Sequence, residues 1–275
     1  MKKSILFIFT ACFLFTTSCS DFLDEEHKTK YSSEYVFGTP EGLKLAVNAL
    51  YALQRYYAND TENATIFALE RGTDLAVTNG GTGNFYGIYD PNYLKPSASQ
   101  VGFMWRTMYQ IIGKANEIIA AAEDLEDTPS LRATVSEAKC FRAQSYFLLY
   151  RTFDRIWLNI QPTTAENVND PRDFHAASEK EVFDLIYEDL EYAITNLDWV
   201  SDEAGRFTQA AARHMKAKAA LWLKDWDTTL EQVEEIEKSG HFDLIALNEV
   251  FNARDLNHKE ALMVQQWSKN PGDRK

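Results

Sequence analysis

Thr208-Gln209-Ala210-Ala211-Ala212-Arg213-His214-Met215-Lys216-Ala217-Lys218-Ala219-Ala220-Leu221-Trp222-Leu223, continued after Lys224 by Asp225-Trp226-Asp227-Thr228-Thr229-Leu230-Glu231-Gln232-Val233-Glu234-Glu235-Ile236-Glu237-Lys238-Ser239-Gly240, reads as two helices joined by a tight connection. Thr208 is an N-cap residue by type, Asp227 is expected to cap the second helix, and Gly240 stops it. The first helix offers small Ala217 and Ala220, and the second offers Trp226, Thr229, Val233 and Ile236 at helical spacing, so the two are expected to wedge together. Such a pair cannot bury its apolar face alone and must stack on neighbours.

Working outward, the neighbours are helical too. Ser178 and Glu181 form a capping box ahead of Val182, Ile186, Leu190, Ala193 and Leu197. A helix from about Leu131 to Phe153 carries Val135, Ala138, Phe141, Ser145 and Leu149 on its apolar side. Before it, Val101, Trp105, Met108, Ile112, Ala115, Ile119 and Ala122 recur at steps of four and three, with Trp105 reading as core. Thr39-Pro40-Glu41 opens a helix with the stripe Leu43, Val47, Leu50, Leu53 and Tyr57. Periodicity fails from about Glu70 to Gln100, where glycines and prolines punctuate a long loop, and again near Arg155 to Thr164, a short irregular or extended segment. Beta signals are sparse, so the fold class is mainly α, with helix pairs and long irregular loops. The spacing over about residues 209–240 is that of a tetratricopeptide unit, and Val101–Glu123 with Leu131–Phe153 resembles a degenerate second one.

The 275 residues carry 28 Lys+Arg against 41 Asp+Glu, a formal charge of −13, which argues against a nucleic-acid partner. Three cysteines, one of them in the first apolar stretch, build neither a disulfide framework nor a zinc site. Met1-Lys2-Lys3, the apolar run Ile5 to Phe15 and the small residues Thr16-Thr17-Ser18 form a secretory signal over residues 1–18. Because the small residues end on Cys19, the arrangement resembles a bacterial lipobox, with Thr16 standing where Leu is usual; a soluble secreted protein is the alternative. Cleavage there removes two lysines and no acid, leaving a charge of −15, so acyl chains rather than surface charge would hold the protein at a membrane. Residues 19–38 then read as a lipidated N-terminal linker and 39–275 as a helical domain.

Several separated motifs agree with one family. Cys19-Ser20-Asp21-Phe22-Leu23-Asp24, Thr39-Pro40-Glu41-Gly42 with Ala46-Val47-Asn48-Ala49-Leu50-Tyr51, then Trp105, Tyr109, Ile112 and Ala115-Asn116 follow in order. Phe141-Arg142-Ala143-Gln144-Ser145-Tyr146-Phe147, Glu188-Asp189-Leu190 and Gly205-Arg206-Phe207-Thr208-Gln209-Ala210-Ala211 complete the series. In this order and spacing the chain resembles the SusD/RagB family of outer-membrane nutrient-binding lipoproteins. Two departures stand out. Phe153-Asp154-Arg155-Ile156-Trp157-Leu158 replaces the glycine of the family's Phe-Gly-Asp turn and lacks its proline. The chain is also about half the usual family length, which reads as an N-terminal part or a truncated member without the C-terminal SusD domain.

The resemblance implies a SusD-like helical fold and a lipid anchor at Cys19 in the outer membrane, facing the cell surface. It further implies an oligosaccharide or other nutrient ligand, and delivery to a SusC-like TonB-dependent transporter. No cofactor is implied. Enzyme motifs are absent: no G-x-S-x-G, P-loop or H-E-x-x-H occurs, and His27, His175, His214, His241 and His258 are scattered, so no catalytic residue or metal ligand is assigned. A glycan site wants flat rings for sugar faces and polar groups for hydroxyls. Within Asn84–Tyr93, the residues Tyr86, Tyr89, Asn92 and Tyr93 supply both, and the same rings would equally serve to pin the loop to the helical body. The competing function class is a lipid-anchored tetratricopeptide-like scaffold of an envelope complex that binds no sugar. A surface glycosidase is a third reading and needs a carboxylate pair that meets only in space.

Overall fold

The Thr-Pro-Glu start behaves as its residue types dictate. Thr39 Oγ1 accepts the Gly42 N–H at 3.0 Å, and Pro40 occupies the first helical position, where no N–H is needed. In this computed structural model, which describes residues 32–59, 99–171, 174–250 and 257–264, the helix α2 so begun runs Pro40–Asn59 and buries Leu43, Val47, Leu50 and Tyr57. A short helix, α1, Ser33–Gly38, precedes it, inside the stretch expected to be linker. The two helices meet backbone to backbone at Gly42, where a Cβ would sit 2.2 Å from the Tyr35 carbonyl oxygen.

The remaining elements are α3 (Ser99–Ala122), α4 (Pro129–Phe153), α5 (Glu179–Asn196), α6 (Gln209–Leu223), α7 (Trp226–Lys238) and the single turn α8 (Leu247–Val250). No strand occurs among the described residues, as a mainly α fold requires. Each helix from α1 to α6 packs on the next, and α2 also touches α4, so α4 lies at the centre.

That position explains its composition. A helix surrounded by others is ordinarily apolar all round, yet α4 buries Thr134, Ser136, Glu137, Lys139 and Arg142 beside Ala138, Phe141 and Tyr146. Thr134 and Ser136 donate to the Ser130 and Arg132 carbonyls of their own helix, whereas Glu137, Lys139 and Arg142 are paired with other elements. On α3 the buried face is Phe103, Met104, Met108, Ile111, Ile112, Ala115 and Ile118, rotated slightly from the expected stripe. Trp105 packs at the core's edge against Tyr109 and Phe153, with ring centroids 4.8 and 5.1 Å apart.

The capping box at Ser178 and Glu181 forms in both directions, and Thr208 caps α6 through the Ala211 N–H. The expected cap of α7 shifts by two residues: Asp225 accepts from the Thr228 N–H at 3.1 Å, while Asp227 stands in the first turn, where its charge still favours the helix N-terminus. The wedge between α6 and α7 is also narrower than its spacing predicts. Alanines 217, 219 and 220 are buried and Ile236 enters the seam, but Trp226 and Val233 are 57% and 41% exposed, and Thr229 bonds its own helix end at Asp225.

The departure from the Phe-Gly-Asp pattern has a conformational price. Asp154 holds φ 62° and ψ −53°, and the Arg155 N–H reaches back to the Phe153 carbonyl at 2.6 Å. This is a classic γ-turn, a strained conformation for a residue with a Cβ. Asp154→Gly is therefore expected to raise folding stability by about 1 kcal/mol, the released strain being partly offset by the entropy of an added glycine. A higher urea midpoint at unchanged slope would show it, and an unchanged or lower midpoint would contradict it.

Candidate functional site

Two buried clusters hold the described helices and the segments between them in place. In the first, Asp189 on α5 is fully buried and accepts three charged donors: Arg142 Nε and Nη2, both at 2.7 Å, and Lys139 Nζ at 2.8 Å. Arg142 Nη1 continues to Asn116 Oδ1 on α3 at 2.9 Å, and Asn116 Nδ2 donates to the Asn159 carbonyl, also at 2.9 Å. Every polar group of the carboxylate and guanidinium is thereby engaged, which is what makes a buried ion pair tolerable.

The cluster ends on the irregular segment after α4, and two tyrosines hold that segment in the manner of a missing strand. Tyr109 Oη accepts the Trp157 N–H at 2.9 Å and donates to the Trp157 carbonyl at 2.7 Å. Tyr146 Oη does the same for Asn159, at 2.7 and 2.6 Å. Burial pushes the Tyr109 hydroxyl up to about 12, and Tyr146 rises for the same reason, so both remain proton donors to these carbonyls.

In the second cluster, Phe141 stands edge-on to Tyr51 and Phe207, with centroids 4.7 and 4.9 Å apart. Tyr51 Oη is hydrogen-bonded to the Glu137 carboxylate and accepts the Phe207 N–H at 2.7 Å. Arg206 lies over the Tyr51 ring, donates to Asn48 Oδ1 at 2.8 Å and approaches Glu137 at 3.4 Å. Burial raises the Glu137 carboxyl above its ordinary range, and the Tyr51 bond and Arg206 charge oppose that rise.

Outside these clusters the described surface opens into clefts. One of about 530 Å³ lies between α2, α4, α6 and the 260–263 segment, lined among others by Gln54, Gln144, His214, Lys218, Glu260 and Met263. It adjoins a cavity of about 180 Å³ through the shared Gln54, Gln144 and Lys218. Another, of about 340 Å³, separates the 199–208 loop from residues 257–264 and is lined by Trp199, Asp202, Arg206 and His258 among others. The Trp199 ring there is already covered by Arg213 and His241, which leaves it little face for a sugar.

His214 belongs to the first cleft; desolvation, with the Lys218 ammonium second, lowers its pKa below the usual imidazole value. Among the described residues no cluster of His, Cys, Asp and Glu is placed to hold a metal ion, and no helix is long and apolar enough to cross a membrane. Cys140 is fully buried, with its thiol pushed up by burial. The residues that the sequence singles out, Cys19 for lipidation and Tyr86, Tyr89, Asn92 and Tyr93 for glycan binding, lie outside the described residues. Sequence reasoning missed the paired clefts around Gln54, Gln144 and Lys218, since positions so far apart carry no spacing signal.

Residues 21–221 match a SusD-like family model described as starch-binding associating with outer membrane. A SusD-like protein of Bacteroides ovatus is 25% identical over 97% of this chain and 50% of its own length. Among solved structures, a laminarin binding SusD-like protein superposes with a TM-score of 0.66 at 24% identity, covering 74% of this chain and 46% of the other. A crystal structure with xylogluco-oligosaccharide also gives 0.66, at 22% identity, covering 82% and 46%. The chain spans about half the length of the curated relatives it matches.

Proposed function

The chain belongs to the SusD-like family, and from that premise we propose that it is a surface lipoprotein, anchored through Cys19, that captures oligosaccharides and passes them to a SusC-like TonB-dependent transporter. The match over residues 21–221 carries this reading. It is supported by the two superposable proteins whose names mention laminarin and a xylogluco-oligosaccharide, and by the signal and lipobox pattern at residues 1–19. The protein cleaves no bond in this scheme: capture and release need only reversible binding, with Tyr86, Tyr89, Asn92 and Tyr93 offered as ring faces and polar contacts. Leu221, Trp222, Trp226 and Leu230 on the outer side of α6 and α7, between 45% and 60% exposed, support a protein-contact role for that end. That role suits a transporter partner and equally the scaffold reading.

Calorimetry of the mature, unlipidated chain against a panel of neutral and acidic oligosaccharides tests capture. At least one is expected to bind, and the joint change of Tyr86, Tyr89 and Tyr93 to Ala is expected to weaken it about tenfold or more, since each stacked ring contributes on the order of 1 kcal/mol. Binding by none of the panel would leave the scaffold reading in its place.

A further inference from the structure

The smaller cavity carries charge of one sign. Its lining holds Arg151 and Lys218 and no carboxylate, in a chain whose acids outnumber its bases 41 to 28. Nearby bases on the same helices are neutralised: Lys139 and Arg142 by Asp189, and Lys216 by Glu191. Among the described residues, neither Arg151 nor Lys218 has a carboxylate within ion-pair reach.

The Arg151 guanidinium lies over the Phe147 and Trp222 rings, 5.1 and 5.4 Å from their centroids. Stacking fixes its plane while leaving the in-plane N–H groups for an acceptor. Neutral hydrogen-bonding groups flank the two cations. Gln54 Nε2 donates to Gln144 Oε1 at 2.9 Å, which leaves the Gln54 carbonyl and the Gln144 amide hydrogens for another partner. Tyr57, 9% exposed, lines the same cavity, and its buried hydroxyl has no hydrogen-bond partner. Buried hydroxyls are rarely left so. In the adjoining cleft the one acid, Glu260, already accepts the Ile245 N–H at 3.2 Å.

We propose that this cavity is a subsite for an anionic sugar residue, whose carboxylate or sulfate ester is held by Lys218 and Arg151 and whose hydroxyls meet Gln54 and Gln144; the inference rests on the glycan-capture reading. A neutral sugar would strip water from two cations and return no charge, whereas an anion restores what desolvation removes. The subsite therefore selects by charge.

Calorimetry with trigalacturonate, a sulfated galacto-oligosaccharide of equal length and neutral galactotriose tests it on the mature chain at low and high salt. At low salt one of the two anionic probes is expected to bind about tenfold or more tighter than the neutral one, and which of them does so identifies the acidic group. The margin is expected to shrink as salt rises. It is expected to fall severalfold in Lys218→Met and to vanish in the double variant Lys218→Met/Arg151→Met. Since Arg151 also packs on two rings, the single Lys218 variant, checked for a native far-UV spectrum, carries the decision. Equal binding of neutral and anionic probes, or a margin untouched by Lys218→Met, overturns the subsite while capture stands. Failure of all three probes while another oligosaccharide of the panel binds overturns the subsite alone, and failure of the whole panel overturns both.

Discussion

Asp189→Ala lowers the folding stability by about 3–5 kcal/mol, the expected result of leaving Arg142 and Lys139 buried without their shared carboxylate. For a domain whose whole margin is about 5–15 kcal/mol this is a large share. The loss should appear as a fall in the urea midpoint at unchanged slope. Asp189→Asn keeps the volume and one acceptor and is expected to recover only part of the loss, because charge rather than shape balances the two cations. A loss below about 1 kcal/mol in the Ala variant would mean that water reaches the guanidinium, and that the pairing across α3, α4 and α5 is incidental to stability.

The second large effect belongs to Phe141→Ala. Phe141 is 1% exposed and stands edge-on between Tyr51 of α2 and Phe207 of the loop before α6, so its removal opens a cavity where three separate stretches of chain converge. A cost of about 3–5 kcal/mol is expected. Phe141→Leu, which keeps most of the volume, should cost well under half of that. Trp226→Ala, removing a larger ring that is 57% exposed, should stay within about 0.5 kcal/mol. If the Phe141 and Trp226 changes cost the same, the cluster is not the junction that its geometry indicates.

These two residues show what a sequence discloses and what it withholds. Phe141, Arg142, Asn116, Asp189, Tyr51, Arg206 and Phe207 all sit in the short motifs by which the chain resembles its family, and all of them meet in the two buried clusters. The motifs are legible because burying charge and aromatic rings together admits few substitutes. Helix starts were legible for a similarly local reason: Thr39, Ser178 and Thr208 each satisfy an N–H three residues on. The cap of α7 differs from the expected one because Asp225 and Asp227 are the same residue type two positions apart, and only backbone geometry separates them. Trp226 and Val233 lie outside the seam that their spacing predicts, because periodicity reports a face without saying what covers it. The cavity with Arg151 and Lys218 is not legible in the sequence, since its chemistry lies in two cations with no carboxylate in ion-pair reach among the described residues, a property of space and not of order along the chain.

The unequal burial along the helical stack implies a gradient of opening free energy. On α4 nearly every position between Thr134 and Tyr146 is enclosed, whereas α7, among the described residues, commits only Gln232 and Ile236 to the interior and packs chiefly on α6. Amide protons of α7 should exchange with solvent through a sub-global opening that leaves α3 to α5 intact, while those of α4 wait for complete unfolding. Among the described residues, the same hierarchy directs proteases first to the stretch after Lys238, so that cleavage there leaves a species retaining both buried clusters.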